Sequence, residues 1–420
     1  MLKFFLTVTP LLIADLWWWR EADRRLRRIG RGYFWRSLLS VFMAAQVAYL
    51  LWLILGEFVE DLGDWRPLWL PMGAYIWHVL LLPAGCFWFI ASAAWNKVRA
   101  KRAKRRSAVA QLESGAARWS RRELLSAAAV AAPPLVTVFA TRQAIAQMGE
   151  FRIREIELAI PQLPADLDGL SIAHVTDLHI GRFMPARLTG AMADATNALD
   201  CDLIAFTGDL IDASQRTVSP GIQFMRRLRP RYGMVMIEGN HDVVRNAGRF
   251  EAEVRDAGLP LLLDETMTFS VPGRTTPVQF LGTTWGELKS GRELHRAGKE
   301  RDYWFREYSN EARDASVRRV AAMREPGAFP ILLAHHPHAF DAAAAAGFPL
   351  ILSGHTHGGQ IMLTHNIGAG PLRFRYWSGL YRKPGSQMFI SNGIGSWFPL
   401  RVNAPSEIVR ITLKRVLIAG

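Results

Sequence analysis

The chain has 420 residues, half of them hydrophobic, with 51 Lys and Arg against 37 Asp and Glu, so its net charge is +14 and two or more structural units are expected. Residues 1–150 hold 20 Lys/Arg and 10 Asp/Glu, or +10, which leaves 31 and 27, or +4, for residues 151–420. A charge excess that flanks apolar segments is a membrane-topology signal rather than a nucleic-acid footprint, so no nucleic-acid partner is expected, and two cysteines, Cys86 and Cys201, exclude a disulfide framework.

Four apolar segments come first. Segment one, residues 1–19, is about long enough to span, since a helix needs ~20 residues to cross the hydrocarbon core, although Pro10 and Asp15 interrupt it. Segment two runs from Leu38 to Leu55. Segment three, Leu68 to Trp95, carries tryptophans near both ends, as interface anchors would be. Segment four, Leu124 to Thr141, is Ala-rich with Pro133 and Pro134 and is the weakest. The loops after segments one and three are strongly basic, and the loop after segment two, GEFVEDLGDWRP, is acidic. Basic loops stay in the cytoplasm. The chain after segment four is therefore expected outside, on the periplasmic face of a bacterial inner membrane. SRRELLS at 120–126 and AIAQ at 144–147 resemble a twin-arginine export signal and its cleavage site. Arg121 and Arg122 serve equally well as positive-inside charges. An uncleaved anchor is favoured, which makes residues 1–150 a transmembrane region of about four helices and residues 151–420 a separate domain.

From 151 onward, short apolar runs alternate with amphipathic helical patterns, the mark of α/β organisation. LSIAHVT, DLIAFT, GMVMIE, FPILLA and FPLILS read as buried strands. Helical patterns fall at 184–199, 218–229, 245–257, 307–323 and 338–346. Each strand is followed at once by residues that bind metals. The first gives Asp177 and His179, which share a face in extended chain. The second gives Asp209 and Asp212, the third Asn240, His241 and Asp242, the fourth His335 and His336, and the fifth His355 and His357. Ligands of open α/β sheets bind outside the carboxyl ends of the strands. A glycine precedes the key residue at three of these ends, where a missing Cβ permits crowding around a small cation.

Mixed His and carboxylate donors suit Zn, Mn or Fe better than Ca or Mg. They are too many for one tetrahedral site, and Asp209 could bridge two ions through its two oxygens. A two-cation site clamps both oxygens of an in-line displacement and makes hydroxide available as nucleophile near neutral pH. A phosphate ester is the natural substrate. Within 151–420 no Ser-His-Asp arrangement or phosphate-binding Walker loop is evident.

The ordered series D-L-H, G-D-x-x-D, G-N-H-D, H-H-P and G-H-T-H resembles the calcineurin-like metallophosphoesterases over about 170–413. GHTHGGQ and the tail SNGIGSWFPLRVNAPSEIVRITL resemble its membrane-attached bacterial branch. The resemblance implies a four-layer α/β sandwich of two mixed sheets flanked by helices, and two divalent ions. It implies Asp177, His179 and His357 as ligands of the first ion, Asp209 as the bridge, and Asn240, His335 and His355 as ligands of the second. His335 is favoured over His336 by the H-x-P pattern. His241 would contact the phosphate and protonate the leaving oxygen, oriented by Asp242. Asp212 would support a ligand or loop, and Arg401 would meet a phosphate or form a salt bridge.

The expected activity is a membrane-anchored phosphohydrolase for a phosphodiester or pyrophosphate, with an envelope or lipid-linked ester as substrate. The alternatives are a cytoplasm-facing nucleotide-lipid pyrophosphatase and a non-catalytic metal-holding module. Residues 286–325, with His295, Tyr303, Trp304 and Phe305, depart from the family pattern. They read as a solvated helical face, or as a lid or membrane-facing element. GPLRFRYWSGLYRKPG at 370–385 could also face a membrane, since aromatics with Arg and Lys suit a headgroup interface.

Overall fold

The computed structural model describes residues 2–27, 32–56, 69–104, 121–181, 183–294 and 300–416. The acidic loop, most of the second basic loop and His295 lie outside the described residues, as do the side chains of Tyr303, Trp304 and Phe305. The chain divides into two compact units, Met1–Ala146 and Gln147–Gly420.

The first unit is helical. Its helices are Leu2–Leu26, Gly32–Gly56, Trp69–Tyr75, Leu82–Lys104 and Arg121–Ala146, with a π-helical turn, Ile76–Leu81, joining the third to the fourth. Among the described residues, three stretches are long and apolar enough to cross a membrane: Tyr33–Leu51, Leu70–Val98 and Ala127–Ala146. The expected first span, residues 1–19, forms most of the helix Leu2–Leu26. Asp15 lies inside that segment, and Arg20, Glu21, Asp23, Arg24 and Arg25 follow it on the same helix. Asp15 is fully buried inside the unit, where Trp77 Nε1 donates to it at 2.8 Å and His78 Nε2 lies 2.9 Å away. Val41, Phe87 and Phe139 remain largely exposed on the three long helices, as apolar surface that a bilayer would cover.

The second unit is built on strands β1 (Arg152–Ile160), β2 (Ser171–Val175), β3 (Leu203–Thr207), β4 (Gly233–Ile237), β5 (Glu265–Phe269), β6 (Val278–Gly282), β7 (Glu287–Leu294), β8 (Glu300–Glu307), β9 (Phe329–Leu333), β10 (Leu350–Ser353), β11 (Met362–Thr364), β12 (Ile367–Gly368), β13 (Gly379–Lys383), β14 (Ser386–Ile390) and β15 (Glu407–Arg415). One sheet has the order β1-β15-β2-β3-β4 and the other β13-β14-β10-β9-β6-β5. β2, β3 and β4 run parallel to one another, as do β14, β10, β9 and β6. β15 opposes β2, and β13 and β5 close the second sheet antiparallel, so both sheets are mixed.

Successive side chains in a strand face opposite ways, and the core follows that alternation. Ile172, Leu203, Val235 and Ile237 of the first sheet meet Phe280, Ile331, Leu350 and Phe389 of the second in one buried cluster. Their neighbours Ala173, Ile204 and Met236 face outward against Met192, Phe224 and Phe250 of helices Thr189–Ala198, Val218–Arg227 and Ala247–Asp256. Leu281, Leu332 and Ile351 pack outward against Val317, Val320 and Phe340 of helices Asn310–Ala321 and Phe340–Ala345. Each such side chain contributes ~1.5–3 kcal/mol by leaving water. Helix, sheet, sheet, helix is the four-layer fold the motif series implies.

The stretch after Gly286 is not a helical face. It is an antiparallel hairpin, β7–β8, followed by the helix Asn310–Ala321. A buried ion cluster fixes its base. Arg306 Nε lies 2.6 Å from Glu238 Oε1 and its Nη2 3.0 Å from Glu251, while its Nη1 donates to the Gly286 carbonyl at 3.0 Å. Burial pushes the Glu238 carboxyl up to about 8, against the pull of Arg306. Removing one partner of a buried pair strands the other, at ~3–5 kcal/mol. Arg306→Ala is therefore expected to lower the thermal midpoint of the detergent-solubilised full chain. The double variant Glu238→Gln/Arg306→Met should recover most of that loss, and an unchanged midpoint in the single variant would refute the role given to the cluster.

Candidate metal centre

Because the parallel strands of both sheets end on the same side, their carboxyl-terminal loops share one volume. Asp177 and His179 follow β2, Asp209 follows β3, Asn240 and His241 follow β4, His335 follows β9, and His355 and His357 follow β10. Two contacts tie the sheets together there. His335 Nδ1 is 2.6 Å from the Thr207 carbonyl, and the His355 N–H donates to both oxygens of Asp177 at 3.0 Å. A Cβ at Gly354 would stand 2.2 Å from Asp177 Oδ2, and one at Gly239 2.2 Å from Asp209 Oδ1. Only glycine permits these approaches.

Asp177, His179 and His357 form one cluster of donor atoms, and Asp209, His335 and His355 form another. In the first, His179 Nε2 and His357 Nε2 face each other at 2.9 Å, and Asp177 Oδ1 lies 3.4 Å from His357 Nε2. The clusters meet at Asp209. Its Oδ2 is 3.4 Å from His179 Nε2 and 3.1 Å from His335 Nε2. Its Oδ1 accepts the His241 N–H at 2.8 Å, so one oxygen, not both, sits between the clusters. Asn240 Oδ1 and His335 Nε2 are buried with no hydrogen-bond partner. His335 Nε2 has only the Asp209 carboxylate near it, whereas Asn240 Oδ1 is left unpaired at a cost of ~1–3 kcal/mol, which a cation would offset. The donor set fits two divalent cations.

The backbone is strained at the same residues. Asp177, His179, Asp209, His355 and His357 all take positive φ, between 50° and 72°, a region that non-glycine residues rarely occupy. Strain of this kind persists where the surroundings over-determine it, and it gathers at functional sites. Charge is organised as well. Burial lowers His355 to about 3, with His335 adding to it, and burial with Arg401 holds His357 well below its ordinary value. Both rings are thus neutral near pH 7, the state that ligates metal.

The structure separates His335 from His336 and gives Asp242 and Arg401 contacts other than those expected. His335 enters the second cluster; His336 instead stacks on Tyr308, with centroids 5.2 Å apart. Asp242 does not orient His241. It sits in the first turn of the short helix Asn240–Val243 and accepts the backbone N–H groups of Gly239, Asp209 and Ile211 at 2.9, 2.9 and 3.0 Å. The carboxylate beside His241 Nδ1 is Asp212, at 3.0 Å. Among the described residues Arg401 forms no salt bridge. It is buried, with donors on Ser396 Oγ and the carbonyls of Asn392, Ala404 and Gly395, and its Nη2 lies 2.7 Å from His357 Nδ1. Three aromatic residues border the clusters without any sequence signal that selects them. Trp285 lies 5.2 Å from His355 and 5.6 Å from His335 by ring centroids, Phe374 lies 5.6 Å from His355, and Trp397 lies 6.1 Å from His241.

Residues 170–359 match the calcineurin-like phosphoesterase family. A transmembrane protein with metallophosphoesterase domain from Danio rerio is 25% identical over 430 residues, which cover 98% of this chain and 89% of that protein. An uncharacterised metallophosphoesterase of Campylobacter jejuni is 28% identical over 267 residues, 62% of this chain, and the chain spans 63% of its length. One from Bacillus subtilis is 27% identical over 260 residues, 60% of this chain and 82% of its own. The crystal structure of a dimetal phosphatase from Danio rerio covers 57% of this chain and 91% of its own at 11% identity, with a TM-score of 0.33, too slight a likeness to carry weight. The second unit thus contains a calcineurin-like metallophosphoesterase domain. The protein is a metal-dependent phosphoesterase with an N-terminal region of apolar helices.

His335 gives a testable linkage. Burial disfavours its charged form, but Asp209 outweighs burial and raises its pKa to about 9. In the metal-free chain the stabilisation from this proton is complete below ~6.5 and is lost as pH rises through about 9. Cation binding needs the neutral ring, so it displaces the proton and weakens as pH falls. Calorimetric Mn titrations at pH 7.5, in two buffers of different ionisation enthalpy, should report release of about one proton from this ring. No buffer dependence would contradict the assignment.

Proposed function

We propose that the protein is a membrane-anchored phosphohydrolase with a dinuclear centre, cleaving a phosphodiester or pyrophosphate of the cell envelope outside the cytoplasm. The observation that carries this reading is the meeting of two His–carboxylate clusters at one oxygen of Asp209. Asp177, His179 and His357 would hold the first cation and Asn240, His335 and His355 the second, with Asp209 available to both. Two cations held there would neutralise the phosphate oxygens and bring the pKa of a bound water toward ~7.

The chain's own groups handle the leaving oxygen. The His241 ring lies edge-on to that of His179 with centroids 4.5 Å apart, and it is partly open to solvent. Burial works against its charged form, but Asp209 and the Asp212 hydrogen bond outweigh burial and raise its pKa. A protonated His241 gives its proton to the leaving oxygen, and Asp212 holds the ring through Nδ1. A module that only stored metal would have no use for this pair.

The charge pattern supports the outward location. Following the basic residues Arg20 to Arg31, the chain has three candidate spans among the described residues, and the basic stretch after the second would return to the cytoplasm. Whether the first helix spans changes the side of the N-terminus only, so residues 147–420 face outward in either case.

Assay of bis(p-nitrophenyl) phosphate with Mn tests the activity, and silence of the wild type with every divalent metal would contradict it. His241→Ala should lower kcat by roughly 10²–10⁴ while metal content stays constant. Asp212→Asn removes a group that raises the His241 pKa, so the alkaline limb of the kcat/KM profile should move to lower pH. A limb that stays in place would deny Asp212 its role.

A further inference from the structure

The chain between the metal-site turn and β13 makes an excursion that the phosphoesterase chemistry does not use. Directly after His357-Gly358-Gly359-Gln360, the chain forms the β11–β12 ribbon and the short helix Ala369–Arg373. Three aliphatic side chains on it face solvent: Leu363 is 73% exposed, Ile367 57% and Leu372 89%. The other large aliphatic residues exposed to this degree belong to the apolar helices of the first unit, as far as described residues go. The residues around them are Thr364, His365, Asn366, Arg373 and Arg375, also exposed.

Along the chain, the charges beside these side chains are basic. No Asp or Glu occurs between Asp341 and Glu407, whereas Arg373, Arg375, Arg382, Lys383 and Arg401 fall in that interval. Arg375 and Lys383 share the carboxylate of Asp341, and among the described residues Arg373 has no acidic partner. Exposed aliphatic tips beside unpaired arginine match the interface of an anionic bilayer, with aliphatic groups in the acyl boundary and guanidinium at the phosphates. In sequence, the second unit begins at Gln147, directly after the candidate span Ala127–Ala146, so its tether to a bilayer is short.

The same excursion reaches the candidate centre. Gly359 packs so close to Gly370 that a Cβ on it would stand 2.8 Å from the Gly370 Cα. Phe374, one residue past the helix, faces the His355 ring edge-on at 5.6 Å. An element seated on lipid would thus present headgroups beside the second cluster.

We propose that residues 361–375 dock on the surface of an anionic lipid bilayer through Leu363, Ile367, Leu372 and Arg373, so that the site takes phosphate esters carried on membrane lipids. The substrate half of this inference rests on the phosphohydrolase reading above; the docking half does not.

The full chain, in a C86S/C201S background, is reconstituted in phosphatidylcholine–phosphatidylglycerol vesicles. A polarity-sensitive fluorophore is attached at Leu372→Cys, or at Asp194→Cys as an exposed control. Quenching by brominated lipid at 372 but not at 194 supports docking, and no quenching at 372 overturns it. Quenching of the fluorophore at 372 in native membranes but not in pure lipid vesicles would also overturn it, in favour of a protein partner. The variant L363E/I367E/L372E should lose about tenfold or more of its turnover of fluorescent phosphatidylglycerol, a lipid phosphodiester, in the vesicles, as removal of several buried apolar anchors implies. Its turnover of soluble bis(p-nitrophenyl) phosphate should not change. Equal loss on both, or loss on neither, overturns the substrate claim. Quenching at 372 in a chain that hydrolyses neither ester upholds docking and rejects the phosphohydrolase reading.

Discussion

Parallel strands discharge all their carboxyl ends on one side, and here two such sheets lie face to face with those ends on the same edge. The rest of the second unit depends on that constraint. A loop on one sheet can supply only part of a donor set. The loops after β2, β3 and β4 supply Asp177, His179, Asp209 and Asn240, and the loops after β9 and β10 supply His335, His355 and His357. The inter-sheet core holds the two halves in register, and the His335–Thr207 and Asp177–His355 contacts fix them at the rim.

Holding such a site without cations is unfavourable. Five residues sit in the left-handed region at ~1–3 kcal/mol each, two carboxylates are buried, and Asn240 Oδ1 has no partner. The folded scaffold has to outweigh these costs until cations relieve them. Asp242 serves the scaffold in that balance. Its carboxylate takes three backbone N–H groups from the loops after β3 and β4, and burial, with Asp209 adding to it, raises its pKa to about 7.

Much of this was legible in the chain itself. The five site strands are buried on both faces, so they stand out as unbroken apolar runs, and each ends in Asp, Asn or His. Other features depended on contacts between residues far apart in sequence. β1 and β15 pair over their whole length although more than 250 residues separate them, and only the alternation in RIREIELAI hints at the first. Asp242 is adjacent to His241 in the chain, but a first-turn helical carboxylate turns back to the backbone, so Asp212, 29 residues away, takes the ring. Arg401 reads as a phosphate contact or a salt-bridge partner until His357 is seen against it. The charged stretch after Gly286 carries no clean period, and the hairpin it forms is held by Arg306 against a glutamate nearly 70 residues earlier.

Everything chemical in this account requires one volume, shared by two sheets, that accommodates a pair of cations with one carboxylate oxygen between them. Electron paramagnetic resonance of the purified full chain loaded with Mn(II) reads that arrangement directly. The account predicts the spectrum of an exchange-coupled pair, replaced in Asp209→Ala by that of isolated ions. An uncoupled, mononuclear spectrum in the wild type at saturating Mn(II) would contradict it.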